Sequence, residues 1–407
     1  MNNKKIAVLG YGVVGSGVVE VFNTHKDSIN KKLGLDANIK YILDIVDHTG
    51  TGFDEKFTKD FNDILNDPEV SVVAEVIGGV NPAFDFTKKS LEAGKSVVTS
   101  NKELVATKGA ELLKIAEQNG VMYLFEASVG GGMPIIRPLR MCLAANEILH
   151  IAGIVNGTTN FILTKMFEDK MSFDSALSLA QKLGYAERNP SADIDGHDAC
   201  RKICILSSIA SGKHIYPDKV HTEGITAITE KDVEAASKLG YSIKLIAYMK
   251  KLKNEKMQVL VAPMLIPKTS RLHNIDDVFN GITVVGDAVG EVSFYGKGAG
   301  KLPTASAVVS DIMECLKFSS LSQSAIWEDS DGSEVIDYLD GEFSFYVCCQ
   351  KGFDLEKIFG EAINIYEGQD ENYYIFPSLL ERDFQSKLSL AKESGANILS
   401  TIRLLNN

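Results

Sequence analysis

In the first third of the chain, short apolar runs alternate with amphipathic stretches. Lys5–Leu9, Ile39–Val46, Val70–Ile77, Ser96–Thr99 and Val121–Phe125 read as strands. Between them Ser16–Phe22, Phe84–Ala93 and Gly109–Asn119 carry the spacing of helices. Strands alternating with helices predict right-handed βαβ crossovers and a doubly wound parallel sheet, an α/β fold. The pattern changes near residue 137. Pro134–Ala144 reads as a helix, Ile148–Val155 as a strand, and Ser172–Leu183 as an amphipathic helix with Ser172 at its N-cap. A further helix lies within Ile194–Ser211, and strands return at Met257–Ala262 and Ile282–Val285, so an α+β domain with an open sheet is expected. Leu302–Leu316 is a helix that could pack back onto the first domain.

The polar stretch Ser319–Ser333 reads as a linker. After it the order is strand (Phe343–Cys349), helix (Leu355–Ile365), strand (Tyr373–Phe376), helix (Arg382–Glu393) and strand (Asn397–Leu405), with another strand near Ile363–Tyr366. This is the plan of a small ferredoxin-like unit. The expected bounds are 1–137 for the first domain with 303–318 as its return helix, 138–302 for the second, 319–336 for the linker and 337–407 for the C-terminal unit.

Gly10-Tyr11-Gly12-Val13-Val14-Gly15 follows the first strand and opens a helix. Alone, such glycines could be a plain turn. Between strand and helix they read as a Rossmann dinucleotide loop, whose first glycine makes the turn, whose second admits the diphosphate and whose third permits close helix packing. Helix N–H groups then meet the phosphates. Asp47 closes the second apolar run, with His48-Thr49-Gly50 and no Arg after it. A carboxylate there favours NAD over NADP, because it accepts from a ribose hydroxyl and repels a 2′-phosphate; it could also only cap a turn. His48 is most simply a loop residue. Lys102, just past the fourth strand in Thr99-Ser100-Asn101-Lys102, is aimed at the cleft where such sheets bind ligands, or is a solvated helix-start lysine. On a helix starting near Gly196, Asp198 and Lys202 share one face, bordered by Ala199, Ile203 and Leu206. Spacing alone also allows a surface ion pair. His197 reads as a polar helix start.

Composition narrows the function. The 407 residues carry a formal net charge of −12, which argues against nucleic acid or an anionic membrane as partner. No apolar run approaches the length of a membrane helix, and no apolar signal region precedes the first strand. The six cysteines form no C-x-x-C, so free thiols in a reducing cytoplasm are expected. A semialdehyde dehydrogenase of the same two-domain plan would need a cysteine nucleophile at a strand end facing the cleft, and none stands there. A nucleotide-sensing regulator without catalysis would keep the glycine loop and lose the lysines.

Taken together, residues 4 to 315 resemble the homoserine dehydrogenase family. The resemblance rests on the glycine loop; Glu75-Val76-Ile77-Gly78-Gly79; Ser100-Asn101-Lys102; Glu126-Ala127-Ser128-Val129-Gly130-Gly131-Gly132-Met133-Pro134; Gly153-Ile154-Val155-Asn156-Gly157-Thr158-Thr159-Asn160; Gly184-Tyr185-Ala186-Glu187; Asp193 to Lys202; and Gly298-Ala299-Gly300-Lys301-Leu302-Pro303-Thr304-Ala305-Ser306-Ala307. It implies the NAD(P)-dependent interconversion of L-aspartate 4-semialdehyde and L-homoserine, a substrate domain that also dimerises, and a homodimer or higher homo-oligomer. It implies that Lys202 moves the proton at the substrate oxygen and that Lys102 lies near nicotinamide and substrate. Glu187 and Asp198, with Asp193, Tyr185 and Gly184 nearby, would bind substrate. Gly10, Gly12, Val13, Val14, Gly15, Asp47, Gly78, Gly79, Ser100, Lys102, Asn156, Gly157 and Gly300 would contact the cofactor. Glu126, Val129, Gly131 and Met133 would hold a monovalent cation, Na+ or K+, largely through carbonyls. Three glycines expose carbonyls that suit a hard cation, and they equally suit a hinge. The C-terminal unit resembles an ACT domain, a module that binds amino acids for feedback control. Its first loop, Gln350-Lys351-Gly352-Phe353-Asp354-Leu355, lacks the usual proline, so a dimerising or structural role stays open.

Overall fold

A computed structural model describes residues 3–318 and 326–405. The chain divides into two compact units, the first made of 1–145, 204–217 and 296–332, the second of 146–203, 218–295 and 333–407.

The first unit holds a six-stranded parallel sheet. Its strands are β1 (Asn3–Leu9), β2 (Asp36–Leu43), β3 (Phe57–Thr58), β4 (Val70–Glu75), β5 (Ser96–Thr99) and β6 (Tyr123–Leu124), in the order β3-β2-β1-β4-β5-β6. This is the doubly wound order with its switch point between β1 and β4. Ile6 and Val8 of β1, Val72 of β4 and Val98 of β5 pack against Val18 and Phe22 of the helix Val13–Thr24. The helix Lys301–Lys317 returns to this same core through Ala305, Val308 and Ile312.

The stretch expected to be a linker lies partly in 319–325, outside the described residues. Its remainder, from residue 326 on, is anchored at Trp327. Trp327 is 2 % exposed, and its indole N–H donates to His214 Nδ1 at 3.0 Å. The same nitrogen accepts the Ala110 N–H at 3.1 Å, while Nε2 lies 2.8 Å from the Ala106 carbonyl. Nδ1 therefore serves as acceptor and Nε2 as donor, the neutral tautomer, and burial lowers the His214 pKa. Gly109 makes room for the indole: a Cβ there would lie 2.7 Å from its ring.

The second unit is built on a mixed ten-stranded sheet. β7 (Ile148–Ile154), β9 (Tyr241–Lys251), β10 (Met257–Pro267), β11 (Phe279–Gly286) and β12 (Gly290–Lys297) are joined by β13 (Glu342–Gln350), β14 (Asn364–Glu367), β15 (Glu371–Leu380) and β16 (Ile398–Leu404). The order is β12-β11-β7-β9-β10-β16-β13-β15-β14, with the short β8 (His221–Thr222) also pairing β10. The C-terminal segment keeps the β-α-β-β-α-β order and its own β16-β13-β15-β14 arrangement. It is continuous with the rest of the unit, because β16 pairs β10 in parallel through Met264–Arg403 and Leu265–Leu404. Phe343, Phe345 and Phe384 share one core with Ile246, Leu260 and Met264. The helix expected over Leu355–Ile365 spans only Glu356–Phe359, because Gly360, at φ +92°, ends it and frees the chain to enter β14.

Candidate active site

In the first unit, β1 ends at Leu9 and the chain turns at Gly10, whose φ of +97° is closed to most side chains. A Cβ at Gly15 would lie 1.9 Å from the Gly10 carbonyl oxygen. At Gly12, by contrast, a Cβ would meet nothing within 4 Å. Gly12 is also the N-cap of Val13–Thr24 and offers no side chain to its first-turn N–H groups. A bare helix start behind an open glycine fits a dinucleotide diphosphate.

β2 stops at Leu43, so Asp44 and not Asp47 stands at its carboxyl end. The reason is local. The Asp44 carboxylate accepts the Val46 N–H at 2.9 Å, which turns the chain out of the sheet, and the Tyr11 N–H at 2.7 Å, which ties it to the glycine loop. Burial alone would raise the Asp44 pKa. These two N–H groups and His48, 3.5 Å away, outweigh it and hold the carboxyl below the usual range. Asp47 is 82 % exposed and pairs with Lys59 at 2.6 Å. Tyr11, His48 and Phe57 form a ring cluster with centroids 5.0 Å apart.

At the ends of β4 and β5, buried Glu75 accepts from the Ile77 N–H at 2.8 Å and the Thr99 hydroxyl at 2.7 Å. Asn101 caps the helix Lys102–Gln118 by accepting the Leu104 N–H, and its amide donates to the Gly79 carbonyl at 2.6 Å. Gly78 and Gly79, both at positive φ, are thereby fixed beside the helix that begins with half-buried Lys102 and follows Ser100.

The Glu126–Met133 stretch is a packed corner rather than a loose hinge. The Glu126 carboxylate accepts the N–H groups of Ile135, Ile136 and Arg137 at 2.6–2.9 Å. A Cβ at Gly131 would lie 2.3 Å from the Gly298 oxygen, and one at Gly132 2.6 Å from Pro303. Among the described residues no group of three or more His, Cys, Asp or Glu side chains could hold a metal ion. Val129 and Met133 are buried, and Gly300, at φ +122°, precedes the return helix.

In the second unit the polar centre is Asn156, at the N-cap of the helix Gly157–Glu168. Its oxygen accepts the Thr159 N–H at 2.9 Å. Its amide protons divide between Asp193, at 2.7 Å, and Asp198, at 2.9 Å. Asp198 pairs with Lys202 at 2.7 Å on the helix His197–Ser211, and Lys202 Nζ also donates to the Val155 carbonyl at 2.6 Å. Asn156, Asp198 and Lys202 are each less than 8 % exposed. The Asp198–Lys202 pair is therefore not a solvated surface pair. Gly157 keeps the helix close to Val278, whose carbonyl a Cβ would approach to 2.8 Å. Thr158 donates to the Tyr185 carbonyl at 2.7 Å. Gly184, Tyr185 and Glu187 stand on an exposed loop. Asn156 is thus a partner of the acids, a role that sequence spacing does not reveal, although Asn before Gly-Thr-Thr carries the signature of a helix cap.

The doubly wound sheet with its open glycine loop, in one chain with a buried lysine among carboxylates, defines a nicotinamide-dependent oxidoreductase. The family model for the homoserine dehydrogenase NAD-binding domain matches residues 10–126, and the homoserine dehydrogenase model matches 134–313. The Bacillus subtilis homoserine dehydrogenase is 42 % identical over 316 residues, 77 % of this chain and 73 % of that protein. The solved homoserine dehydrogenase of Thiobacillus denitrificans superposes with a TM-score of 0.92 at 33 % identity, covering 99 % and 98 % of the two chains. That of S. aureus gives 0.83 at 33 % identity over the whole of both. The chain belongs to the homoserine dehydrogenase family. It interconverts L-aspartate 4-semialdehyde and L-homoserine with a nicotinamide cofactor. No helix among the described residues is long and apolar enough to cross a membrane.

Proposed function

We propose that Lys202 gives and takes the proton at the substrate oxygen, and that Asp193 and Asp198, with Glu187, receive the substrate ammonium. The observation that carries this reading is the Lys202 ammonium itself, buried and aimed by the Val155 carbonyl and Asp198. When bound, the nicotinamide supplies or accepts the hydride at the carbon bearing that oxygen. In the reductive direction negative charge grows on the aldehyde oxygen, and a positioned ammonium stabilises it and donates its proton. In the oxidative direction the neutral amine is the base. Asn156 splits its two amide protons between two carboxylates and so holds both in fixed places. With both carboxylates ionised and Lys202 protonated, the set carries one net negative charge, which the substrate ammonium compensates through charge-assisted hydrogen bonds. Lys102 is proposed as the second catalytic residue.

NAD is the preferred cofactor in this reading. Asp44 supplies the carboxylate for the ribose diol, and no arginine follows β2. Two of its lone-pair sites are engaged, and an ionised carboxylate has about four. A monovalent cation binds through the carbonyls of Glu126, Val129, Gly131 and Met133, since the Glu126 carboxylate is taken by backbone N–H groups. The enzyme works as a homodimer in the cytoplasm, a reducing compartment where its six cysteines stay as thiols.

Steady-state homoserine oxidation, with NAD and NADP side by side, tests the reading on wild type and Lys202→Ala. The expected loss in kcat exceeds about 10²-fold, with NAD binding retained. Turnover like that of the wild type in the variant would overturn the role. Exchange of K+ for choline at constant ionic strength tests the cation.

A further inference from the structure

An ion network, buried at Arg403 and Glu381 and half-buried at Glu223, runs from the C-terminal strand to the segment that precedes Gly224. Arg403 of β16 grips Glu381 with two nitrogens, at 2.8 and 3.0 Å, and donates with a third to Glu223 at 2.9 Å. The other Glu223 oxygen lies 2.6 Å from His221 Nε2, and the His221 ring stacks on Tyr338 with centroids 3.7 Å apart. Burial would push the Glu223 carboxyl up. His221 and Arg403 reverse this and bring it down to about 2. The carboxylate is thus an anchor, and the chain on either side of it is fixed. His221 and Thr222 pair β10, and the Glu223 N–H donates to the Val261 carbonyl at 2.8 Å.

The residues after this anchor press on the loop 194–196. The Ile225 N–H donates to the Ile194 carbonyl at 2.8 Å. A Cβ at Gly224 would lie 2.3 Å from the Ile194 oxygen and 2.7 Å from the Asp195 Cα. Across the same contact Gly196 is at φ +85°, and a Cβ there would lie 3.1 Å from the Glu223 backbone carbonyl oxygen. One residue before this loop is Asp193, bonded to Asn156. Directly after it begins the helix that bears Asp198 and Lys202, with the Cys200 N–H bonded to the Gly196 carbonyl at 2.9 Å.

We infer that the strap Thr222–Ile225, clamped by Arg403 through Glu223, positions the substrate carboxylates, so that a C-terminal arginine sets the affinity for the amino-acid substrate. Arg403 and Glu223 are positioning residues and touch no reactant. The inference rests on the proposed role of Asp193 and Asp198 as receivers of the substrate ammonium. A coupling of this kind needs a packed element shared by both ends, and the strap is that element.

The test uses the full-length enzyme with Glu223→Gln, Gly224→Ala and Arg403→Lys, beside Asp198→Asn as reference. Truncating Arg403 outright would strand buried Glu381 and half-buried Glu223 and risk the fold, whereas Arg403→Lys keeps the charge and Gly224→Ala leaves the ion network intact. Expected is a rise of about tenfold in KM for homoserine in Glu223→Gln and Gly224→Ala, a smaller rise in Arg403→Lys, and KM for the cofactor within about twofold of wild type. Faster amide hydrogen exchange over residues 193–199 should accompany it. If Asp198→Asn raises KM for homoserine while the strap variants do not, or if they raise both KM values in parallel, the strap has no positioning role and the carboxylate reading stands. If Asp198→Asn also leaves KM unchanged, the carboxylate reading fails and the inference falls with it.

Discussion

At the mouth of the glycine loop nearly every determinant is backbone. At Asn156 nearly every determinant is a buried side chain. The loop works because Gly10, Gly12 and Gly15 lack atoms, and because a helix start is left without a capping side chain. The Asn156 cluster works because an amide, an ammonium and two carboxylates satisfy one another, with Asn156, Asp198 and Lys202 buried and Asp193 half-buried at the edge. Polar groups in such a place must be paired, so the cluster is rigid and intolerant of deletion. A diphosphate is recognised by the path of the chain, whereas an amino-acid substrate is recognised by placed charges.

This contrast can be broken by substitution. Gly15→Ala should have the largest effect, because its methyl must displace the Gly10 carbonyl from 1.9 Å. Loss of NADH binding by calorimetry is expected, while the melting of the second unit is unchanged. Retained NADH affinity would show that the loop tolerates a side chain. Asp198→Asn sharpens the other side of the contrast. It keeps the shape and removes the charge, so KM for homoserine should rise about tenfold or more with little change for cofactor. An unchanged KM would count against the ammonium contact. Asp44→Ser tests the one side chain on which the backbone-built site depends. It should shift the ratio of kcat/KM for NAD over NADP toward NADP by about tenfold, while Asp47→Ser leaves the ratio alone.

The smallest effect is on acid stability. The folded Glu223 carboxyl is lowered to about 2 from its ordinary 4.5. A depressed carboxylate pKa adds stability that is fully present above the unfolded value and is lost as pH falls through the folded one. Thermal melting of the wild type should therefore decline from about pH 4.5 toward pH 2, and Glu223→Gln should flatten that decline. Parallel curves for the two proteins would remove Glu223 from the acid response.

The same contrast governs what can be read in the chain itself. The parallel sheet, the glycine loop and the return helix are legible because each is announced locally, by an apolar run, a missing side chain or a 3.6-residue period. The second unit is harder. β9 reads Tyr241-Ser-Ile-Lys-Leu-Ile-Ala-Tyr-Met-Lys-Lys and is buried on both faces, so it lacks the alternation of a half-exposed strand. The bonds of the Asn156 cluster join residues 37, 42 and 47 apart, and no local rule foretells them. Helical spacing pairs Asp198 with Lys202, but nothing in the pattern joins them to Asn156, which caps another helix. Asp47 is the natural choice at the end of an apolar run. Asp44 ends the strand earlier because a short acid side chain captures the N–H two residues on, an event that hydrophobic pattern does not register.

Trp327 has an optical consequence. It is the chain's one tryptophan, and it sits in the first unit against a neutral imidazole. Excited beyond the tyrosine band, its fluorescence reports on the nucleotide-binding unit alone, while the second unit stays dark. Denaturation of the two units can then be separated by comparing emission with far-ultraviolet dichroism. Because reduced nicotinamide absorbs where indole emits, the same residue is a built-in energy-transfer donor for following cofactor binding without a label.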